Sequence, residues 1–163
     1  GARAINIIPD RNWNIKDPQA CRVRLVNLER YVRMVDGLGM PINIGTEMNR
    51  LGQPLVDDLD GGALRPYKEI FLRGANILVG HTTALRFAGF SYAGPAAQAE
   101  FSGDVTAQNN WFEAVGKLPA VTDPLAMRLS ELGPEKAFAV IADSAAAGQW
   151  KLYTGDRSDE CHG

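Results

Sequence analysis

The sequence has only two cysteines, no long apolar run and almost no net charge, and each shortage argues against a class of protein. Cys21 and Cys161 are too few and too far apart for a disulfide framework, which favours a reducing, cytoplasmic compartment without excluding a mature secreted protein. No apolar run approaches the roughly 20 residues that span a bilayer. A formal net charge of −2 gives no electrostatic reason to expect a nucleic-acid partner. The length of 163 residues and a hydrophobic content of 45% suit one globular domain.

Three short apolar runs have the composition of buried strands, and helical patterns separate them. The runs span residues 3–8, 41–45 and 76–80. Between the first two runs, apolar residues recur every three or four positions after Asp17 and Pro18, which suit a helix N-cap and a first helical position. A second helix is expected over 63–73, closed by Gly74. This order predicts a β-α-β-α-β segment with parallel pairing through right-handed crossovers.

From residue 82 the pattern becomes helical. Helices are expected over 96–101, 106–115, 123–132 and 134–147. The predicted organisation is therefore an α/β segment over 1–92, a helical extension over 93–152 and a loosely ordered tail over 153–163. Because native proteins cover the edges of parallel sheets, a second chain or domain is expected to complete this one. A small α/β domain that is complete by itself is the alternative.

Polar side chains follow each of the three runs at the point where the strand is expected to end. These side chains are Asp10, Glu47 and His81. Since the carboxyl ends of parallel strands open on one edge, we expect all three to meet there as catalytic residues. Carboxylate and imidazole groups also bind divalent metals, so Glu47 and His81 are candidate metal ligands. The ordinary alternatives are a glutamate that caps a helix or pairs with an arginine, and a histidine hydrogen-bonded in the core.

The turn after the first run is densely polar and supplies candidate substrate-binding residues. Arg11 is suited to bind a carboxylate or a phosphate with two hydrogen bonds, and Trp13 is suited to stack on a ligand. The remaining candidates are Asn12, Asn14 and, after the second run, Asn49. An Asx turn, in which Asp10 and Asn12 bond to nearby backbone, explains the same residues without a ligand.

The loop carboxylates Asp57, Asp58 and Asp60 lack the spacing of a calcium-binding loop. A solvated turn or helix caps explain them better. The glycines match neither phosphate-binding pattern, G-x-x-x-x-G-K or G-x-G-x-x-G.

The segments Ile8 to Asn14, Gly45 to Asn49 and Gly80 to Thr82 resemble parts of the PHP-type (polymerase and histidinol phosphatase) metal-dependent hydrolases. More broadly, they are similar to amidohydrolase-like (β/α) barrels. In these families a strand-ending glutamate followed by a strand-ending histidine is a recurrent element, and Glu47 and His81 match it. The resemblance covers about residues 3–92, and both the family's opening H-x-H pair and its closing D-x-H are absent.

The resemblance implies part of a (β/α) barrel that holds a divalent metal, Zn, Mn or Mg, and acts on a small-molecule substrate, most naturally a phosphoester. The residues alone leave two other classes open. One is a non-catalytic module that binds a sugar-like small molecule through the polar turn and Trp13. The other is a subunit whose main role is assembly with another chain.

Overall fold

The computed structural model describes residues 1–46, 51 and 55–151, and most of these residues lie in helices. The elements, in chain order, are β1 (Ile5–Ile7), α1 (Asp10–Trp13), α2 (Pro18–Gly37), β2 (Ile42–Ile44), a 3₁₀ turn (Arg65–Tyr67), α3 (Lys68–Ala88), α4 (Pro95–Glu100), α5 (Val105–Gly116), α6 (Asp123–Glu131) and α7 (Pro134–Ala147). Glu47 and Asn49, and the tail predicted over 153–163, lie outside the described residues.

The strands β1 and β2 pair in parallel, with Ile5 opposite Ile42 and Ile7 opposite Ile44. The alternation of a strand places these isoleucines on one face, where they pack with apolar residues of α2. The asparagines between them, Asn6 and Asn43, lie on the other face and are joined by a side-chain hydrogen bond of 3.0 Å.

The connection between the strands is the predicted helix. The carboxylate of Asp17 accepts the backbone N–H of Ala20 at 2.7 Å, and Pro18 takes the first helical position. The helix α2 then buries Leu28, Val32 and Val35 against the sheet. The first half of the predicted β-α-β-α-β order is therefore present.

The third predicted strand is wrong, because residues 76–80 lie inside the long helix α3. Its buried residues recur every three or four positions along one face: Phe71, Gly74, Ile77, Gly80, Ala84 and Phe87. A short apolar run fits a buried strand and a segment of buried helix equally well, so length and flanks must decide, and here the helical spacing continues on both sides. The protein is therefore mostly helical with one short parallel pair, and the predicted parallel segment of a (β/α) barrel is contradicted.

The helices predicted after residue 93 are all present as α4 to α7, with bounds within one residue of those expected. They pack on α3 rather than forming a separate body. One buried cluster joins Ile77 and Ala84 of α3 to Phe112 of α5 and to Phe90, so packing is continuous across residue 92.

The helices α3 and α5 approach so closely that their backbones touch. A Cβ on Gly80 would collide with the carbonyl oxygen of Phe112, and a Cβ on Gly116 would collide with that of Asn76. Likewise, a Cβ on Gly74 would meet the carbonyl oxygen of Ile42, so α3 also lies directly against β2. These contacts fix α3 between the sheet and α5.

Candidate functional site

Two groups of polar residues lie at opposite ends of the β1–β2 sheet. At the carboxyl end, the short helix α1 begins two residues after β1 and carries Asp10 and Trp13. At the amino end, a pocket beside α3 is lined by Ala4 and Pro41, which directly precede β1 and β2, and by His81. The sequence prediction placed Asp10 and His81 at one edge; the structure separates them.

The carboxylate pair, Asp10 and Asp57, forms the first group. Asp10 is 7% exposed, and its Oδ1 accepts a hydrogen bond from Asn14 Nδ2 at 2.8 Å. Asp57 is 4% exposed, and its Oδ1 accepts the indole N–H of Trp13 at 3.2 Å. Its second oxygen, Oδ2, is buried and has no hydrogen-bond partner within the described part of the chain. Asp10 of α1 and Asp57 of the loop before α3 are therefore both buried, and one oxygen of Asp57 has no hydrogen-bond partner among the described residues.

Burial raises the pKa of Asp57 above its ordinary value, because desolvation disfavours the charged carboxylate. The hydrogen bond from Trp13 opposes this effect, whereas the negative charge of Asp10 raises the pKa further. A buried carboxylate oxygen without a partner is costly, and a second carboxylate nearby increases the cost. Either a proton or a bound cation relieves both effects, so the pair is chemically suited to take up positive charge.

The candidate substrate-binding residues on α1 divide into two kinds. The polar groups of Trp13 and Asn14 are already used to hold Asp57 and Asp10. Asn12 donates its side-chain amide to the carbonyl of Ile8 at 3.3 Å, as expected for a local turn contact. Arg11 is exposed on α1, on the same short helix as Asp10.

His81 does not follow a strand, so the expected proximity of Glu47 and His81 at the ends of neighbouring strands has no support in the structure. Both were expected to follow neighbouring strands, but His81 lies in α3. Its Nδ1 accepts the backbone N–H of Tyr92 at 3.1 Å, and its ring lies tilted against Phe112 with centroids 6.5 Å apart. This is the core-bonded histidine that the sequence left open as an alternative. A shared metal stays a prediction, since Glu47 lies outside the described residues.

Sequence reasoning missed Asp57 as a site residue. The sequence prediction gave it to a solvated turn or a helix cap, because Asp57, Asp58 and Asp60 lack the spacing of a calcium-binding loop. Its burial comes from tertiary packing, and its partner Trp13 stands 44 positions away in the chain. The only local signal was an indole N–H in the polar turn, since a buried tryptophan needs an acceptor somewhere in the fold.

A larger metal cluster is not visible: within residues 1–46, 51 and 55–151, no three His, Cys, Asp or Glu side chains come together. None of the described helices combines the length and the apolar character needed to cross a membrane. Comparison of the chain with protein-family models, with curated proteins and with solved structures returned no match.

Proposed function

We propose that the chain supplies the cation-binding carboxylates of a divalent-metal-dependent hydrolase, acting on a small-molecule phosphoester. The observation that carries this proposal is the buried Oδ2 of Asp57, which has no hydrogen-bond partner among the described residues and feels the charge of a second buried carboxylate, Asp10. A cytoplasmic location belongs to the same proposal and depends on the low cysteine count.

The donor set favours a hard cation. Carboxylate oxygens suit Mg²⁺ and Mn²⁺, whereas a zinc site is more often built with imidazole or thiolate. Mg²⁺ commonly uses only one or two protein carboxylates and completes its shell with water and substrate phosphate oxygens. Two described carboxylates therefore fit Mg²⁺ or Mn²⁺, and Glu47, three positions after the last residue of β2 in the sequence, is proposed as a further ligand.

The protein's own groups have distinct roles in this proposal. Asn14 and Trp13 hold the two carboxylates in place through their side-chain N–H groups. The exposed Arg11 is placed on the same helix to pair with the negative charge of a phosphoester. A bound divalent cation would supply a water of lowered pKa and polarise the phosphoryl group.

The test compares cation binding in the wild type, Asp57→Asn and Asp10→Asn, with Asp36→Asn as the control. Asp36 is an exposed carboxylate on α2, so its loss should leave binding unchanged. Titration of Mn²⁺ should raise the free energy of unfolding of the wild type and the control by about 2.7 kcal/mol at 100 times the Kd, and their melting temperatures should rise accordingly. It should have little effect on the two site variants. If Mn²⁺ raises the melting temperatures of the wild type and Asp57→Asn equally, the proposed cation site is rejected.

Activity is a separate readout of the same proteins. Hydrolysis of p-nitrophenyl phosphate should require Mn²⁺ or Mg²⁺ and should be lost in Asp57→Asn. Arg11→Ala should raise KM for this anionic substrate and leave the Mn²⁺ response intact, because its role is to pair with substrate charge. If the protein binds the cation but hydrolyses no phosphoester, the cation site is supported and the hydrolase function is rejected.

The sugar-binding alternative receives less support. The amides of Asn12 and Asn14 and the indole N–H of Trp13 already form hydrogen bonds within the protein. Asn14 and its partner Asp10 are among the groups that were expected to form hydrogen bonds with a sugar. A site whose polar groups are used internally has fewer donors to offer a neutral polar ligand.

The short sheet supports the further proposal that a second chain or domain completes it. Parallel sheets are usually covered on both faces, yet Asn6 on the outer face of β1 is exposed. A two-stranded pair is also marginal without additional packing. Sedimentation velocity over a wide concentration range should show self-association if the partner is a second copy, and a constant monomer would exclude that partner.

A further inference from the structure

A pocket of about 220 Å³ lies at the amino end of the sheet, away from the carboxylate pair. Its walls are mainly apolar and include Pro41 before β2, Ile77 and Leu78 of α3, and Ala93. An apolar cavity of about 150 Å³ is large enough to bind benzene. This pocket therefore has room for one aromatic ring with a small substituent.

One hydrogen-bond donor in the wall is fixed by the surrounding structure. His81 lines the pocket, and its Nδ1 accepts the backbone N–H of Tyr92. A nitrogen that accepts a hydrogen bond carries no proton, so in the neutral ring the proton sits on Nε2. Nε2 has no partner within the part of the chain that the structure describes.

The tautomer of His81 is held by a buried network behind Tyr92. The hydroxyl of Tyr92 donates to Asn109 Oδ1 at 2.6 Å, and Gln108 Nε2 donates to the carbonyl of Tyr92 at 2.6 Å. Asn109 in turn donates to the carbonyl of Gly39 at 2.7 Å. Because each partner is itself fixed, the Nε2–H donor is preorganised for a ligand, which lowers the entropic cost of binding.

Positive charge lies near the pocket. Arg3 directly precedes the lining residue Ala4. Burial raises the pKa of Tyr92, another lining residue, and the positive charge of Arg3 opposes this rise. Arg73 also acts on Tyr92, but its guanidinium is engaged by Glu113 at 3.3 Å and by Asn110 at 3.1 Å. Among the described residues Arg3 has no ion pair, so its charge is available to an acidic ligand.

We propose that this pocket binds a small monocyclic aromatic carboxylate. Its ring lies against Ile77 and Leu78, and its carboxylate accepts the Nε2–H of His81 and faces the charge of Arg3. Neither the cation nor the hydrolase activity proposed above is needed for this site.

The experiment titrates benzoate into the isotope-labelled protein and follows the backbone amide of Tyr92 by NMR. The matched variants are Leu78→Trp and Leu85→Trp. These two leucines lie seven positions apart on α3 and are 47% and 46% exposed, but only Leu78 lines the pocket. We expect saturable benzoate binding that is at least tenfold weaker in Leu78→Trp and unchanged in Leu85→Trp.

The carboxylate requirement is tested with benzamide, which has nearly the same shape and no charge. Benzoate should bind more tightly than benzamide to the wild type, and Arg3→Gln should remove that preference. The proposal is overturned if the Tyr92 amide shows no saturable shift with benzoate, or if Leu78→Trp binds it as tightly as Leu85→Trp. Equal binding of benzoate and benzamide to the wild type would overturn the choice of an acidic ligand.

Discussion

Replacing Asp57 with asparagine should make the protein more stable at neutral pH when no divalent cation is present. The substitution keeps the size of the side chain and an Oδ1 that can accept the indole N–H of Trp13. It removes a negative charge that is 96% buried beside Asp10 and has one oxygen without a partner in the described chain. The asparagine Nδ2 group would then stand in place of that oxygen as a donor, next to a carboxylate.

The magnitude follows from the cost of an unsatisfied buried polar atom, about 1–3 kcal/mol. For a domain of this size each kcal/mol shifts the melting temperature by about 2–4 °C. The pKa of Asp57 is raised in the folded state, so the folded protein binds the Asp57 proton more tightly than the unfolded chain does. The wild type therefore loses stability as pH rises above the ordinary value of 3.8 and through the folded pKa.

The assay is thermal and urea unfolding of the wild type, Asp57→Asn and the control Asp36→Asn, in EDTA, from pH 3.5 to 8. Towards the acid end Asp57 becomes increasingly protonated in both states of the wild type, so the difference in free energy of unfolding between the two proteins should be smallest there. The difference in favour of Asp57→Asn should appear as pH rises and then level off. A variant that is less stable than the wild type at pH 7 in EDTA would refute the reasoning, since the charge would then be stabilising.

Two further predictions test the packing around Gly80 and Tyr92. Gly80→Ala should destabilise the protein by about 1–3 kcal/mol in urea unfolding, because the new Cβ would collide with the carbonyl of Phe112. The control Gly37→Ala should stabilise the protein by about 0.5–1 kcal/mol, because its Cβ would meet nothing within 4 Å. Equal effects of the two alanines would contradict the close approach. Tyr92→Phe should cost about 1–3 kcal/mol, because Asn109, which is 3% exposed, loses the donor to its Oδ1. A loss below about 0.5 kcal/mol would mean that water replaces that donor.

The segments that the sequence predicted well are those with local signals. The helix α2 begins at a cap formed by Asp17 and a proline in the first turn, and its second half carries an apolar stripe in which Leu28, Val32 and Val35 are buried. The two strands that flank it alternate isoleucine with asparagine, which is the pattern of a sheet with one buried face. Three of the later helices, α4, α6 and α7, have proline in the first turn, and α5 begins after the cap residue Asp104.

The candidate site was predicted less well, because its geometry depends on contacts that are distant in the chain. Asp10 was correctly expected just after β1, at the carboxyl end of the sheet. The burial of Asp57 could not be predicted, since it depends on how the loop before α3 folds over Trp13. The raised pKa of Asp57 arises first from this burial and then from the charge of Asp10, neither of which leaves a periodic pattern.

The wrong prediction of a third strand results from the interpretation of two glycines as the ends of a helix and a strand. Gly74 and Gly80 were taken to end a helix and a strand, since glycine commonly marks such ends. In α3 both are interior residues at which a neighbouring backbone comes into contact, β2 at Gly74 and α5 at Gly80. Glycine in a helix interior costs up to about 1 kcal/mol, and here that cost permits a packing distance that no other residue allows. The same packing places His81, one position after Gly80, against Phe112 and beside Tyr92. The location of His81 at the amino end of the sheet is thus a consequence of helix packing at glycines. Sequence periodicity alone could not distinguish such an interior glycine from one that ends a helix or a strand.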